Sequence, residues 1–282
     1  MNSSLPKAFV FGAGRGAKSL LSFIARQYQV IALLDNNAQT WGSRVEGIPV
    51  CAPDIILETQ YDSIVVSSNC GHRAIVEQLL GMGVDYGRIN TDYLFAMETP
   101  RVLFLEKLGL LFAEQNMPGC VAEAGVFRGD FAREINRVFP AKQLFLFDTF
   151  SGFDARDVAV ERERRYSQRE AGYFHLTSEE LVLENMPHPA LCVIRKGYFP
   201  HSAEGLEETF CFVSLDFDLY QPMLAGLEYF VPRMAKGGVI LVHDYFSEEF
   251  KGAKEAVRAF ESKAGRLHLL PVGDLLSVGI LC

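Results

Sequence analysis

Acidic residues stand at the ends of four apolar, strand-like segments in the second half of the chain. They are Glu123, Asp148, Asp216 and the acid of the pair His243-Asp244. In an open α/β sheet, ligands bind beyond the carboxyl ends of the strands. Clustered carboxylates are costly unless a cation or the donors of a ligand neutralise them. The four segments together therefore predict a ligand-binding cleft, and they favour a divalent hard cation such as Mg²⁺ within it.

The run from Glu123 to Gly129 joins one of these segments to a helix through a turn of small residues. Gly125 and Gly129 let the backbone approach a ligand closely, and the N–H groups at the helix start can receive a polar ligand. Asp148 closes the next strand, where a carboxylate accepts the hydroxyls of a ribose in dinucleotide folds. A glycine turn or a capping acid alone has an ordinary structural explanation, so the prediction rests on the combination.

The elements that position these residues alternate along the whole chain as short apolar strands and helical patterns. Such alternation is typical of a parallel sheet covered by helices. In the second half, strands are predicted over 120–123, 144–148, 191–195, 212–216 and 239–243, with helices over 101–115 and from Pro222 to Gly237-Gly238. The last two strands, 267–272 and 275–281, are joined only by Gly273-Asp274, so we expect an antiparallel hairpin.

The first part of the chain repeats the pattern on a smaller scale. Its predicted strands cover 7–11, 30–35 and 62–67, and its helices end near 27 and 82. Thr99-Pro100 predicts a break, because the residue before a proline is pushed out of the helical region. The expected fold is therefore α/β with two doubly wound domains, a small Rossmann-like domain over 1–99 and a second domain over 100–282.

Gly12, Gly14 and Asp35 form a dinucleotide-like arrangement in the first domain. The glycines follow one strand and open a helix, and the acid ends the next strand. This pattern predicts a nucleotide or nucleotide-sugar site, and a unit kept for packing or dimerisation explains it equally well. The run from Leu34 through Val50 resembles the small N-terminal domains of sugar acyltransferases, which hold nucleotide-sugars.

Five segments of the second half occur in the order seen in the macrocin O-methyltransferase family, which they resemble. They are 121–129, 147–153, 196–199, 215–220 and 237–245. The resemblance covers about residues 101–282. It implies a class I methyltransferase dependent on S-adenosylmethionine, with a mostly parallel seven-stranded sheet that ends in an antiparallel hairpin. Members of the family methylate sugar hydroxyls, so the implied acceptor is a sugar or glycoside.

The resemblance also implies roles for single residues. Glu123, Gly125 and Gly129 would face the methionine part of the cofactor, Asp148 the ribose with Phe150 nearby, Gly197 and Tyr198 the adenine, and Asp216 and Asp244 an Mg²⁺ ion. Asp216 or His243 would accept the proton of the acceptor hydroxyl. The family often has an aspartate at the position of His243, and a neutral imidazole is a poorer Mg²⁺ ligand than a carboxylate.

Two other functions stay open at this point. One is an NAD(P)-dependent nucleotide-sugar oxidoreductase that works through Gly12 and Asp35, although no Tyr-x-x-x-Lys pair for hydride transfer is evident. The other is a non-catalytic binding protein with a retired methyltransferase fold. Against it, carboxylates in a cleft are costly to keep without a use.

Composition excludes several classes of protein. The chain has 282 residues, of which 49% are hydrophobic, and a net charge of -8 without a Lys/Arg-rich run, which argues against nucleic-acid binding. No apolar stretch approaches the roughly 20 residues of a membrane helix, and the first residues lack the core of a signal peptide. Six cysteines without a C-x-x-C pair indicate reduced thiols, so we expect a cytoplasmic enzyme. A homo-oligomer is compatible with the resemblance.

Overall fold

The computed structural model of the chain describes residues 5–68, 71–94 and 98–282. The backbone separates into two compact units, Met1–Glu98 and Thr99–Cys282. Each unit is described by itself.

The first unit is a six-stranded sheet with two helices. Its strands are β1 (Lys7–Phe11), β2 (Gln29–Leu34), β3 (Arg44–Val45), β4 (Ile48–Cys51), β5 (Ser63–Val66) and β6 (Ile89–Asn90), and its helices are α1 (Arg15–Ile24) and α2 (His72–Gly81). The strand order is β3-β4-β2-β1-β5-β6, parallel throughout except for the β3/β4 pair. Apolar residues of the central strands, such as Phe9 and Ile64, form its core with Leu79 of α2.

The second unit is a seven-stranded sheet covered by helices. Its strands are β7 (Cys120–Ala124), β8 (Leu144–Asp148), β9 (Cys192–Lys196), β10 (Phe210–Leu215), β11 (Met234–Val242), β12 (His268–Pro271) and β13 (Val278–Leu281). Its helices are α3 (Glu98–Glu114), α4 (Asp130–Val138), α5 (Ala155–Arg164), α6 (Glu179–Glu184), α7 (Tyr220–Phe230) and α8 (Lys251–Ala264).

The strand order of the second sheet is β12-β13-β11-β10-β7-β8-β9. β13 runs antiparallel to both of its neighbours, and the pairs from β11 to β9 are parallel. The predicted fold class is therefore confirmed, including the mostly parallel sheet with its reversed end. Side chains alternate between two apolar layers, because successive residues of a strand point to opposite faces. Val121 and Phe212 face one layer, and Ala122 and Val213 face the other.

Two predicted boundaries in the second unit are wrong. The helix that contains Pro222 ends at Phe230 and a 3₁₀ turn follows, so Gly237-Gly238 lies inside β11 instead of ending the helix. Gly238 is needed there because a Cβ atom would lie 2.8 Å from the carbonyl oxygen of Cys211. The hairpin is antiparallel as predicted, but its connection runs over 272–277 and not over two residues.

The prediction that Thr99-Pro100 interrupts the helical backbone is also wrong. α3 begins at Glu98, and Pro100 lies in its first turn. A proline is tolerated there because the first N–H groups of a helix have no partner within the helix.

Within the described residues, no helix is long and apolar enough to cross a membrane. The described cysteines, Cys51, Cys120, Cys192, Cys211 and Cys282, are all free.

Candidate active site

The ends of β7 and β10 touch at Gly125. This residue has a φ of +89°, and a Cβ atom built on it would lie 2.1 Å from the backbone oxygen of Asp216. The N–H of Asp216 donates to the carbonyl of Ala124 at 2.8 Å. A side chain at position 125 is therefore excluded by contact as well as by backbone conformation. The glycine turn and Asp216 adjoin as a result.

Asp148 fixes the shape of the glycine turn. Its Oδ2 atom accepts hydrogen bonds from the N–H groups of Val126, at 2.8 Å, and Phe127, at 2.9 Å. Its Oδ1 atom accepts one from the N–H of Phe150 at 2.7 Å. A carboxylate offers about four acceptor positions, so the backbone leaves capacity for about one further donor. Asp148 and Phe150 thus lie beside the glycine turn.

Two residues of the segment between α5 and α6, Phe174 and Thr177, contact the same turn. Gly129 precedes α4 with a φ of +82°, and a Cβ on it would approach the side chain of Val182 in α6 at 3.2 Å. The Thr177 hydroxyl donates to the carbonyl of Phe127. The rings of Phe127 and Phe174 lie 4.8 Å apart. The turn is therefore held from the side of α6 as well as by Asp148.

Asp216, His243 and Asp244 come together at the ends of β10 and β11. The Nδ1 atom of His243 lies 3.0 Å from Oδ1 of Asp216 and 3.1 Å from Oδ2 of Asp244. Parallel pairing of Leu215 with Val242 places the two strand ends side by side. One possible metal-ligand atom from each of the three residues lies within 4.8 Å of those of the other two. This set fits a divalent cation through its two carboxylates, and the imidazole is its weaker part for Mg²⁺.

The charged groups of this cluster shift one another's pKa values. Burial alone would lower the pKa of His243, but the carboxylates of Asp216 and Asp244 outweigh it and raise that pKa above its usual value. Burial alone would raise the pKa of Asp216, and the charges of His243 and Arg101 lower it instead. His243 therefore holds a proton near neutral pH while Asp216 is ionised.

Arg101 is the member of the site that the sequence reasoning missed. It lies in the first turn of α3, and its Nη1 atom contacts Oδ2 of Asp216 at 3.2 Å. Its guanidinium carbon lies 4.1 Å above the centre of the Phe131 ring in α4. The available signal was a charged residue inside an otherwise apolar helix face, which is weak by itself. Arg101 supplies a fixed positive charge against the acidic strand ends.

Glu123 lies near the end of β7 and is only 2% exposed. It pairs in register with Ser214 of β10 and so points to the same face of the sheet as Asp216. Burial raises its pKa well above the usual value, Asp216 adds to this, and Arg101 opposes it. Its Oε2 atom has no hydrogen-bond partner among the described residues. An unpaired buried acceptor is costly and indicates that a donor from outside the chain belongs there.

Gly197 and Tyr198 follow β9 at the neighbouring strand end. The Gly197 N–H donates to the carbonyl of Asp148 at 2.9 Å. The Tyr198 hydroxyl donates to Oδ1 of Asp157 at 2.8 Å, and the Arg156 guanidinium lies 4.0 Å above its ring. Gly197 is thus adjacent to Asp148, and Tyr198 lies against the start of α5.

In the first unit, the structure brings Gly12 and Asp35 to the same turn. The Gly12 N–H donates to the carbonyl of Leu34 at 2.7 Å. The Asp35 carboxylate accepts from the N–H groups of Ala13, at 2.9 Å, and Asn37, at 2.8 Å. Gly14 precedes α1 as its N-cap. Asp35 therefore supports its glycine turn in the way that Asp148 supports the turn of the second unit.

Part of this chain is similar to a known methyltransferase. A curated relative, the 8-demethyl-8-(2,3-dimethoxy-alpha-L-rhamnosyl)-tetracenomycin-C 4'-O-methyltransferase of Streptomyces olivaceus, is 28% identical over 177 residues. The match covers 58% of this chain and 65% of the relative, so the chain spans just under two thirds of that protein.

Solved structures show the same fold. The O-methyltransferase NovP is similar with a TM-score of 0.53 and 22% identity, over 64% of this chain and 79% of its own. The calicheamicin methyltransferase CalS11 is similar with a TM-score of 0.53 and 20% identity, over 74% of this chain and 90% of its own.

Family models match both units. Residues 4–90 match the N-terminal domain of C2185-like proteins. Residues 100–270, more than half of the sequence, match the macrocin O-methyltransferase (TylF) model and include the whole cluster around Asp216. The chain belongs to the macrocin O-methyltransferase family.

Proposed function

We propose that this protein transfers a methyl group from S-adenosylmethionine to a hydroxyl of a sugar or glycoside. The close approach of Gly125 to the backbone of Asp216 carries the proposal, because it supports a cofactor-binding turn that adjoins a residue whose carboxylate can receive a proton. Family membership supports the reaction class. The rhamnosyl 4'-O-methyltransferase named above supports the acceptor class.

S-adenosylmethionine would supply an electrophilic methyl group on a sulfonium. Glu123 offers a buried acceptor for the ammonium of its methionine part, and Gly125 and Gly129 give the adjoining turn its close-packed shape. Asp148 has about one acceptor position left for a ribose hydroxyl, with Phe150 next to it. Gly197 and Tyr198 would border the adenine.

Proton transfer is assigned to Asp216 and His243 together. Since His243 holds the proton of the pair and Asp216 is ionised, Asp216 can accept a hydrogen bond from the acceptor hydroxyl. Methyl transfer makes that oxygen positive, so even a carboxylate of low pKa can take its proton. His243 keeps Asp216 oriented through the 3.0 Å contact, and its Nε2 atom remains as a second acceptor if the ring loses its proton.

A divalent cation, Mg²⁺ in the sequence expectation, would be held by the carboxylates of Asp216 and Asp244. Such an ion lowers the pKa of a bound hydroxyl and orients it. Asp244 is completely buried, and two neighbouring carboxylates favour a cation, which would compete with the proton that His243 holds between them. Because His243 offers a ring nitrogen, this set of ligands would suit a cation that binds nitrogen better than Mg²⁺ does.

For the first unit we propose a nucleotide or nucleotide-sugar site at Gly12, Gly14 and Asp35. The observation in its favour is that Asp35 holds its glycine turn as Asp148 does, with carboxylate capacity to spare. This unit would then present the acceptor, or a precursor of it, in nucleotide-linked form.

Calorimetric titration tests both assignments. Wild-type protein is titrated with S-adenosylmethionine, S-adenosylhomocysteine, NADPH and a set of nucleotide-sugars, with and without Mg²⁺. We expect the two adenosyl compounds to bind with micromolar dissociation constants, which correspond to a binding free energy of about -8 kcal/mol. Asp35→Ala should weaken only the binding of the nucleotide-sugars. Tight binding of NADPH without any binding of the adenosyl compounds would overturn the methyltransferase assignment.

A further inference from the structure

A buried hydrogen-bond acceptor and a buried hydrogen-bond donor, each without a partner among the described residues, lie on one face of the second sheet. Glu123 carries an acceptor, Oε2, and Arg101 carries a donor, Nε; both atoms are buried and lack a hydrogen-bond partner among the described residues. They do not satisfy each other, although their charges interact. Each such group costs free energy until a complementary ligand group arrives. The pair therefore calls for a ligand that has both a donor and an acceptor.

Arg101 is held in place by contacts that leave one edge of its guanidinium unused. Nη1 contacts Asp216, and the flat face of the group lies on the ring of Phe131. Its side chain is only 13% exposed. A buried guanidinium fixed in this way loses little freedom when it binds a further partner.

The unused edge is the one that arginine offers to a carboxylate. Elsewhere in this chain, Arg156 binds Asp154 through Nε and Nη2, with both distances at 2.8 Å. A guanidinium edge of this kind matches the two oxygens of a carboxylate. In Arg101 the Nη1 atom on the other side is the one that contacts Asp216, so the ion pair with Asp216 does not use the Nε side.

We propose that Arg101 binds the carboxylate of the methionine part of S-adenosylmethionine, while Glu123 binds its ammonium. This inference rests on the proposed function. The amino acid end of the cofactor is a zwitterion, and the two unmatched groups are its complement. Because Arg101 also contacts Asp216, binding of the cofactor carboxylate fixes the guanidinium that lies beside the proton acceptor. Arg101 is a cofactor-binding residue with a second, positioning role toward Asp216.

Decarboxylated S-adenosylmethionine provides the test, since it keeps the sulfonium and the ammonium and lacks only the carboxylate. Dissociation constants for both compounds are measured by calorimetry with wild-type protein and with Arg101→Met. We expect the wild type to bind S-adenosylmethionine about 10-fold to 100-fold more tightly than the decarboxylated compound. In Arg101→Met this preference should fall below about 3-fold, through weaker binding of S-adenosylmethionine.

Three controls make the result specific. Arg133→Met removes an exposed arginine of α4 and should leave both affinities unchanged. Methylthioadenosine lacks the whole amino acid end, so its affinity should not change in Arg101→Met if that variant is folded. Arg101→Lys keeps the charge without the guanidinium edge and should retain part of the preference.

The outcomes separate the inference from the function on which it rests. An equal loss of affinity for both compounds in Arg101→Met would reduce Arg101 to a counter-ion of Asp216 and overturn the inference. A wild type without preference for the carboxylate would also overturn it, whatever the variants do. A wild type that binds no adenosyl compound at all would remove the proposed function itself.

Discussion

The imidazole of His243 lies 3.0 Å from Asp216, and it also contacts Asp244, so one ring joins the two carboxylates of neighbouring strand ends. The Asp216 side chain is contacted on its other oxygen by Arg101. A carboxylate held by two cations keeps its charge and its orientation at neutral pH. This arrangement makes Asp216 the residue on which turnover should depend most.

Asp216→Asn should lower turnover by about 100-fold or more, because an amide cannot accept the hydroxyl proton. Affinity for S-adenosylmethionine should change by less than about 3-fold, since Asp216 is not assigned to the cofactor. Turnover is followed by release of S-adenosylhomocysteine, and affinity by calorimetry. Glu248→Gln is the matched control, because it removes an exposed carboxylate from the segment between β11 and α8. Near-normal turnover in Asp216→Asn would remove this residue from the mechanism.

His243→Asp should tighten the binding of Mg²⁺ by about 10-fold, since a third carboxylate replaces an imidazole in an otherwise oxygen donor set. The measurement is calorimetric titration with Mg²⁺ alone, repeated with Mn²⁺, which accepts nitrogen more readily. The wild type should prefer Mn²⁺ to Mg²⁺, and the variant should lose most of that preference. If neither cation binds to either protein, the cation assignment at Asp216 and Asp244 is wrong.

Gly125→Ala should destabilise the second unit by about 3 kcal/mol or more, because its methyl group would overlap the carbonyl of Asp216. Denaturant unfolding measures the effect. Gly205→Ala is the matched control: its φ is +73°, and a Cβ there meets nothing within 4 Å. It carries only the conformational cost of about 1 kcal/mol. Equal losses in the two variants would show that close contact at Gly125 contributes nothing.

Glu161 should make stability depend on pH. Its Oε1 accepts from the N–H of Tyr220 at 2.7 Å, and burial raises its pKa to about 7. A raised carboxyl pKa means that the folded state holds the proton more tightly than the unfolded state. The contribution of this group is therefore full below about pH 4.5 and is lost as the pH rises through 7.

Glu161→Gln should remove this dependence, which amounts to about 2 kcal/mol between pH 5 and pH 8 after allowance for solvent screening. Urea midpoints at the two pH values measure it. Glu163→Gln, an exposed position of the same helix, should keep the wild-type slope. The same slope in all three proteins would contradict the assignment.

Strand ends were the part of the site that could be predicted from the sequence. Asp148 and Asp216 are acids at the end of apolar runs, and parallel strands bring such ends to one edge. Arg101 could not be predicted, because it approaches from a helix 115 positions earlier in the chain and no local pattern marks the contact. Gly237-Gly238 was misread as a helix end because glycine marks close packing as well as termination.

The reversed strand β13 has a consequence for the order of assembly during synthesis. It lies between β12 and β11, and β12 pairs with no other strand of the described sheet. When the ribosome has released the chain as far as Pro271, only the five strands from β7 to β11 can pair in the sheet of the second unit, and the edge of β11 is open. An open edge is a template for pairing with another chain. Residues 278–281 therefore cover the open edge of β11 and protect it from pairing with another chain. They do so only after the residues of the candidate active site have been synthesised.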